Sequence, residues 1–213
     1  MRTLLHGKEA TDASFTRMPN GLIQCEDGLL RPEWAAAPGL LRDYYDTEWG
    51  LPTHDEQEIY ERLCLEAFQA GLSWKTILER RPAFRKAFEG FSPDVVASFN
   101  DEKIAELLKD SSIIRNRRKI EAARTNAQAT LRLRNSPDTP NLAELLWSYA
   151  PQDHTRPRST ADLRPTTPES IACSQRLKRE GFVFVGPTTM MSTMEAIGII
   201  DMHVEGAFSP VTD

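Results

Sequence analysis

The chain has only three cysteines in 213 residues, Cys25, Cys64 and Cys173, widely spaced and odd in number. They form no CxxC pair and no disulfide framework, so a reduced chain in the cytoplasm is expected. No stretch approaches the ~20 apolar residues that a bilayer span requires, and no membrane partner is expected. The start, Met1 to Glu9, turns polar after two leucines and does not read as a signal peptide. A net charge of -5 gives no global basic excess that would advertise nucleic acid. Internal repeats are absent and strand signals nearly so. What remains is a 40% apolar composition, enough for a sizeable interior, in a length that suits one domain or two lobes sharing a core.

Punctuation along the chain predicts helices joined by short turns, and the class is all-α. Residues 1–30 lack periodicity and read as a loose N-terminal extension. Asp55 is placed to cap a helix running to about Ala70. Ser73 is expected to start the next helix, which should end near Arg81 because Pro82 follows. Pro82 suits the first turn of a short helix closed by Gly90. Ser92-Pro93, Asp101 to Lys109, Asn116 to about Leu133, and Asn141 to Tyr149 give further helices. Residues 150–167, rich in Pro, Thr and Arg, read as a functional or crossing segment, since structureless loops of that length are uncommon in compact domains. Thr167-Pro168 opens a helix closed by Gly181. Phe182 to Val185 is a short apolar run that suits extended backbone, and Pro187 opens a last helix to Ile197.

Glu66 is the only charged residue between Leu63 and Trp74, and it is read as having no Lys or Arg within a helical turn. Desolvating a carboxylate costs several kcal/mol unless something compensates. Two readings stand: a structural carboxylate capping a nearby loop, or a group whose partner is a ligand carrying donors or positive charge. On a helix, Glu66, Gln69 and Ser73 form one polar stripe on an apolar rod.

Charge is also uneven further on. From Ile113 to Arg134 there are seven basic residues, Arg115, Arg117, Arg118, Lys119, Arg124, Arg132 and Arg134, with Glu121 the only acid. This is either a solvated helix face or a local footprint for phosphates. The turn between the Asp101 and Asn116 helices sits where the run begins. A helix N-terminus there, flanked by Arg115, Arg117 and Lys119, would grip one phosphate strand without reading sequence.

Four blocks then carry a resemblance: Tyr44 to Pro52, Cys64 to Trp74 with its LExxQAGLSW pattern, Ile113 to Ile120, and Gly181 to Thr188. In order and spacing they resemble the 3-methyladenine DNA glycosylase I family, over about residues 31–207, leaving 208–213 as a tail. The resemblance implies a helix-hairpin-helix glycosylase bundle, two lobes around a base-binding pocket, with the hairpin unit at about 101–133. It implies a monomeric base-excision enzyme acting on double-stranded DNA with alkylated purines, releasing free 3-methyladenine and needing no cofactor. Glu66 would accept hydrogen bonds from the flipped base and complement its charge, with Gln69 supporting it. Tyr44, Trp74 and Trp34 match pocket aromatics. Leu72 would wedge into the gap left by the flipped base. Ser112, Arg115, Arg117 and Lys119 would contact the backbone, with Ser112 standing at the hairpin's usual glycine.

The chain departs from that family's zinc site. Pro32, Tyr45 and Ala207 occupy three of its ligand positions and only His203 is retained, so no metal is expected. Cys25 lies seven residues too early to substitute. Tyr45 and neighbouring apolar residues are expected to pin the termini instead. Leu41 and Met191 stand where pocket tyrosines are usual, which leaves a bulkier N-alkyl adduct, or a lesion binder without turnover, as alternative readings. A helical interaction module is the reading without DNA.

Overall fold

The computed structural model describes residues 16–153 and 155–211. Three two-residue antiparallel strands open it: β1 (Thr16–Arg17), β2 (Ile23–Gln24) and β3 (Leu30–Arg31), paired in that order with Ile23 opposite both Arg17 and Arg31. Ten helices follow among the described residues: α1 (Glu33–Ala36), α2 (Leu40–Thr47), α3 (Glu56–Gln69), α4 (Trp74–Ala87), α5 (Pro93–Ala97), α6 (Asp101–Leu107), α7 (Arg117–Arg134), α8 (Leu142–Trp147), α9 (Pro168–Arg179) and α10 (Pro187–Ala196). No described helix is long and apolar enough to cross a membrane.

The helix starts are where the capping residues place them. Asp55 accepts the Glu58 amide at 2.8 Å at the head of α3, and Ser73 accepts Thr76 at 3.1 Å at the head of α4. Asn100 and Asn116 cap α6 and α7 through the amides of Lys103 and Lys119, at 2.9 and 3.3 Å. Thr167 and Ser170 form a capping box in front of Pro168. The core is assembled around α3, which packs against α4, α7, α8 and α10. Behind it, Phe68 meets Phe84 at 4.6 Å and Phe88 stacks on Phe91 at 5.3 Å.

Four expectations are corrected. First, α4 does not stop at Arg81: it continues through Pro82 to Ala87. Pro82 costs about 3 kcal/mol in a helix interior. It sits on the exposed face, however, while Phe84, Ala87 and Phe88 are driven into the core on the continued helix. Second, residues 16–30 are not a loose extension; Leu22, Ile23 and Cys25 are buried, and residues 1–15 lie outside the described residues. Third, Phe208 is held rather than trailing. Fourth, Phe182 to Val185 is an irregular loop, with Phe184 at φ 57° and Val183 clamped at both backbone groups by the Asn126 side chain, at 3.0 and 2.8 Å.

The described segments near the two ends are pinned together by hydrogen bonds and packing. Tyr45 donates its hydroxyl to the Phe208 carbonyl at 2.7 Å, and the Phe208 amide donates to Leu30 at 2.8 Å. Arg31, buried, makes a two-pronged contact to Asp46, both prongs at 2.8 Å, and lies 5.4 Å from the Phe208 ring. The long 150–167 segment joins the same closure: Thr160 donates to Asn20 at 2.9 Å, and Glu205 to Pro157 at 2.8 Å. Tyr45→Phe is therefore expected to lower unfolding free energy by about 1 kcal/mol, the net worth of a neutral hydrogen bond. Thermal unfolding checks it, and an unchanged midpoint would take Tyr45 out of the pin.

Candidate functional site

α3 carries Glu66 near its C-terminal end, where the helix is buried over Ile59 to Phe68. Glu66 is 7% exposed and lines a cavity of about 400 Å³. No described side chain gives it a hydrogen bond or ion pair. Burial first, then repulsion from Glu195, pushes its carboxyl up to about 8, with Arg62 opposing the shift. Arg62, one turn N-terminal to Glu66, corrects the expectation that no cation lies within a turn. Its guanidinium is engaged by Glu48 and lies 6.0 Å from the Tyr44 ring. Glu48 also holds Arg81 at 2.6 Å, and Glu61 holds Arg81 and Arg85 at 2.6 and 2.9 Å. The cations behind Glu66 are thus bound to other carboxylates.

Tyr44, Trp74, Trp34 and Gln69, all expected here, line this cavity together with Ser73. Tyr44 and Trp74 lie 5.5 Å apart at 54°, in contact, so they form one wall rather than two slices around a base. The Tyr44 hydroxyl and the Trp74 Nε1 are buried with no partner, and burial raises the Tyr44 phenol above its usual range. Trp34 and Trp49 bound the cavity elsewhere, both packed on Tyr45 at 5.3 and 5.5 Å. Leu41 lines it too; Met191 is in the core and does not. Trp49, Ser192 and Glu195 are pocket residues the sequence reading missed. Glu195 carried a legible signal: it is the only charged residue between Phe182 and Ile200.

Gln69 does not support Glu66. Its amide donates to the Leu72 carbonyl at 3.1 Å and so shapes the α3–α4 turn. Gly71, at φ 83°, reverses the chain there and leaves Leu72 37% exposed at the tip. Lys119 is corrected as well. It is 8% exposed, donates to the Phe68 and Ala70 carbonyls at 2.9 and 2.6 Å, and caps the end of α3 beneath the same turn.

Tertiary contacts also shrink the basic run. Arg124 binds Phe99 and Asp101, Arg132 binds Glu180, and Arg134 binds Glu56 and Asp94. Exposed at the hairpin remain Arg115, Arg117 and Arg118, with Arg117 3.3 Å from Glu121. The hairpin between α6 and α7 is held by Arg80, which donates to Ser111 and Ser112 at 3.1 and 2.9 Å. Asp110 accepts the Ser112 amide at 2.8 Å. Ser112 is not among the described non-glycine residues at positive φ, so a side chain is tolerated at this position.

A family profile described as methyladenine glycosylase matches residues 34–210. The chain belongs to that family. A relative from Haemophilus influenzae called DNA-3-methyladenine glycosylase is 38% identical over 179 residues, 82% of this chain and 94% of the relative. A crystal structure of a 3-methyladenine DNA glycosylase I superposes with a TM-score of 0.78 at 36% identity, over 83% of this chain and 97% of that one. The Staphylococcus aureus 3-methyladenine DNA glycosylase I, solved for its recognition of 3-methyladenine, gives 0.76 at 31% identity, over 81% of this chain and 92% of its own. This is a helical glycosylase fold.

The resemblance leads to a zinc site in this family, and of its ligand positions this chain retains only His203. The described residues contain no group of three His, Cys, Asp or Glu placed to hold a metal. His203 binds Asp201 through Nδ1 at 2.6 Å, packs on Trp49 at 4.7 Å, and its Nε2 has no partner. One imidazole, with Pro32, Tyr45 and Ala207 standing at the other three ligand positions of the sequence, does not make a four-ligand site.

The raised carboxyl has a consequence for stability. Glu66 is held neutral more strongly in the folded chain than in the unfolded one, so its contribution is complete below the unfolded value near 4.5 and is lost as pH rises through about 8. Glu66→Gln is expected to raise the unfolding free energy more at pH 8.5 than at pH 5, on the order of a few kcal/mol at the high end. A gain equal at both pH values would mean that Glu66 titrates normally.

Proposed function

We propose that this chain is a DNA glycosylase that hydrolyses the N-glycosidic bond of N3-methylated adenine in double-stranded DNA and leaves an abasic site. The observation that carries the reading is Glu66, buried, without a protein donor, in a cavity walled by tryptophan and tyrosine. An N3-alkylated adenine is cationic and carries an exocyclic amine, so it supplies both the charge and the donors that Glu66 lacks. Aromatic faces add cation–π attraction, worth ~1–2 kcal/mol when desolvated. The names of the relatives support the same substrate.

Reaching the cavity requires flipping the nucleotide out of the duplex. Leu72 is the residue we assign to the vacated stack. Gln69 and Lys119 brace its turn from within, as positioning residues. Arg115 and Arg117, with Ser112 and the start of α7, face the phosphate strand. The positive charge already weakens the glycosidic bond. On cleavage the bonding pair leaves with the base, which becomes neutral 3-methyladenine, and water adds to the sugar C1′ with loss of a proton. No general base is assigned. Residues 31–207 act as one glycosylase domain, read as working as a monomer. The three cysteines are free and buried, which suits a reducing cytoplasm.

A wider adduct range is the second reading, favoured by Leu41 lining the cavity where the resemblance expects tyrosine. Both are tested by incubating methylated genomic DNA, and separately DNA carrying bulkier N-alkyl adducts, with the wild type and with Glu66→Ala, and identifying the released purines by chromatography. Wild type is expected to release 3-methyladenine, and Glu66→Ala to lose at least ~10²-fold of that rate while remaining folded. Equal release by both would remove Glu66 from the mechanism, and release of bulkier adducts alone would favour the second reading.

A further inference from the structure

The base cavity contains a second carboxyl that the proposed chemistry has not used. Glu195 stands on α10, which packs directly against α3, and it lines the same cavity as Glu66. Everything else on its helix is uncharged, and no described residue gives it a hydrogen bond or ion pair. Burial pushes it up to about 7, and it in turn raises Glu66. Only one cation lines the cavity, Lys75, which is largely exposed and lies 3.9 Å from Glu79. Arg62 is engaged by Glu48. Two carboxyls from facing helices therefore share one aromatic-walled space with no protein cation between them. Glu66 is itself more than nine-tenths buried and unpartnered there.

Such a pair is unfavourable when no cation is present, because two like charges that line one cavity and repel each other resist ionising together. It becomes favourable when a cation enters, and a neutral purine of the same shape gains nothing from the second charge. We propose that Glu195 is a specificity-determining residue, reading the positive charge of the extrahelical base together with Glu66 and so favouring N-alkylated purines over ordinary neutral ones. This rests on the glycosylase reading above, but it is a claim about charge recognition and can be read by binding alone.

The test measures tryptophan fluorescence as full-length protein is titrated with 3,9-dimethyladeninium, whose N9 methyl stands for the sugar and which is cationic, and with neutral 9-methyladenine. Wild type, Glu195→Gln and Glu195→Asp are compared, with thermal unfolding as a check that each is folded. Wild type should prefer the cation. Glu195→Gln keeps size and hydrogen-bonding capacity without the charge, and should cut affinity for the cation by about tenfold with no change for the neutral ligand. Glu195→Asp should retain the preference. An unchanged ratio in Glu195→Gln, equal weakening of both ligands, or a wild type with no preference would overturn the proposal. If wild type shows the Glu195-dependent preference yet releases no base from methylated DNA, the glycosylase reading fails and the charge reading stands.

Discussion

The constraint on which this structure depends is a buried carboxyl group without a protein donor of its own. Glu66 sits on the deeply buried α3, where burial raises its carboxyl and favours the protonated form. Its surroundings can be understood as ways of keeping that arrangement intact. The nearby guanidinium groups of Arg62, Arg81 and Arg85 are bound by Glu48 and Glu61 rather than by Glu66. Tyr44 and Trp74 form one apolar wall, and Glu195 adds repulsion rather than relief. On the proposed reading, a site so arranged favours a flat cation with hydrogen-bond donors over a neutral ligand.

The closure of the chain ends serves the same cavity. Tyr45 ties α2 to Phe208, and the two tryptophans that bound the cavity, Trp34 and Trp49, both rest on Tyr45. The resemblance would have a zinc ion fix this corner. Here a hydroxyl, a buried Arg31–Asp46 pair and ring stacking occupy it instead. A wall of the cavity thus rests, through Tyr45, on the hydrogen bond and packing that hold Phe208.

Much of the fold was legible because helix starts are local chemistry. Asp55, Asn116 and Thr167 cap where a short polar side chain can reach a free amide, and no distant contact is needed to read them. Pro82 misled for a tertiary reason: the residues after it gain more by burial on a continued helix than the proline costs. The sheet was invisible because strands of two residues carry no periodicity. Among site residues, Glu66 was legible as a charge on an apolar rod, and Glu195 carried the same mark on a helix that drew no chemical suspicion. Lys119 was misplaced because a charge run does not say which member turns inward. Only the fold brings its ammonium under the end of α3, while Arg115 and Arg117 stay outside.

The central claim is that the Glu66 carboxyl is neutral in the empty pocket and ionises when a cationic base arrives. Carbon-13 NMR of glutamate-labelled protein, followed through the Glu66 side-chain carboxyl against pH with and without 3,9-dimethyladeninium, measures this directly. In the free protein Glu66 should titrate near 8, with a clear downward shift on addition of the cation. A Glu66 that titrates in the ordinary carboxylate range in the free protein, and does not respond to the cation, would contradict the account.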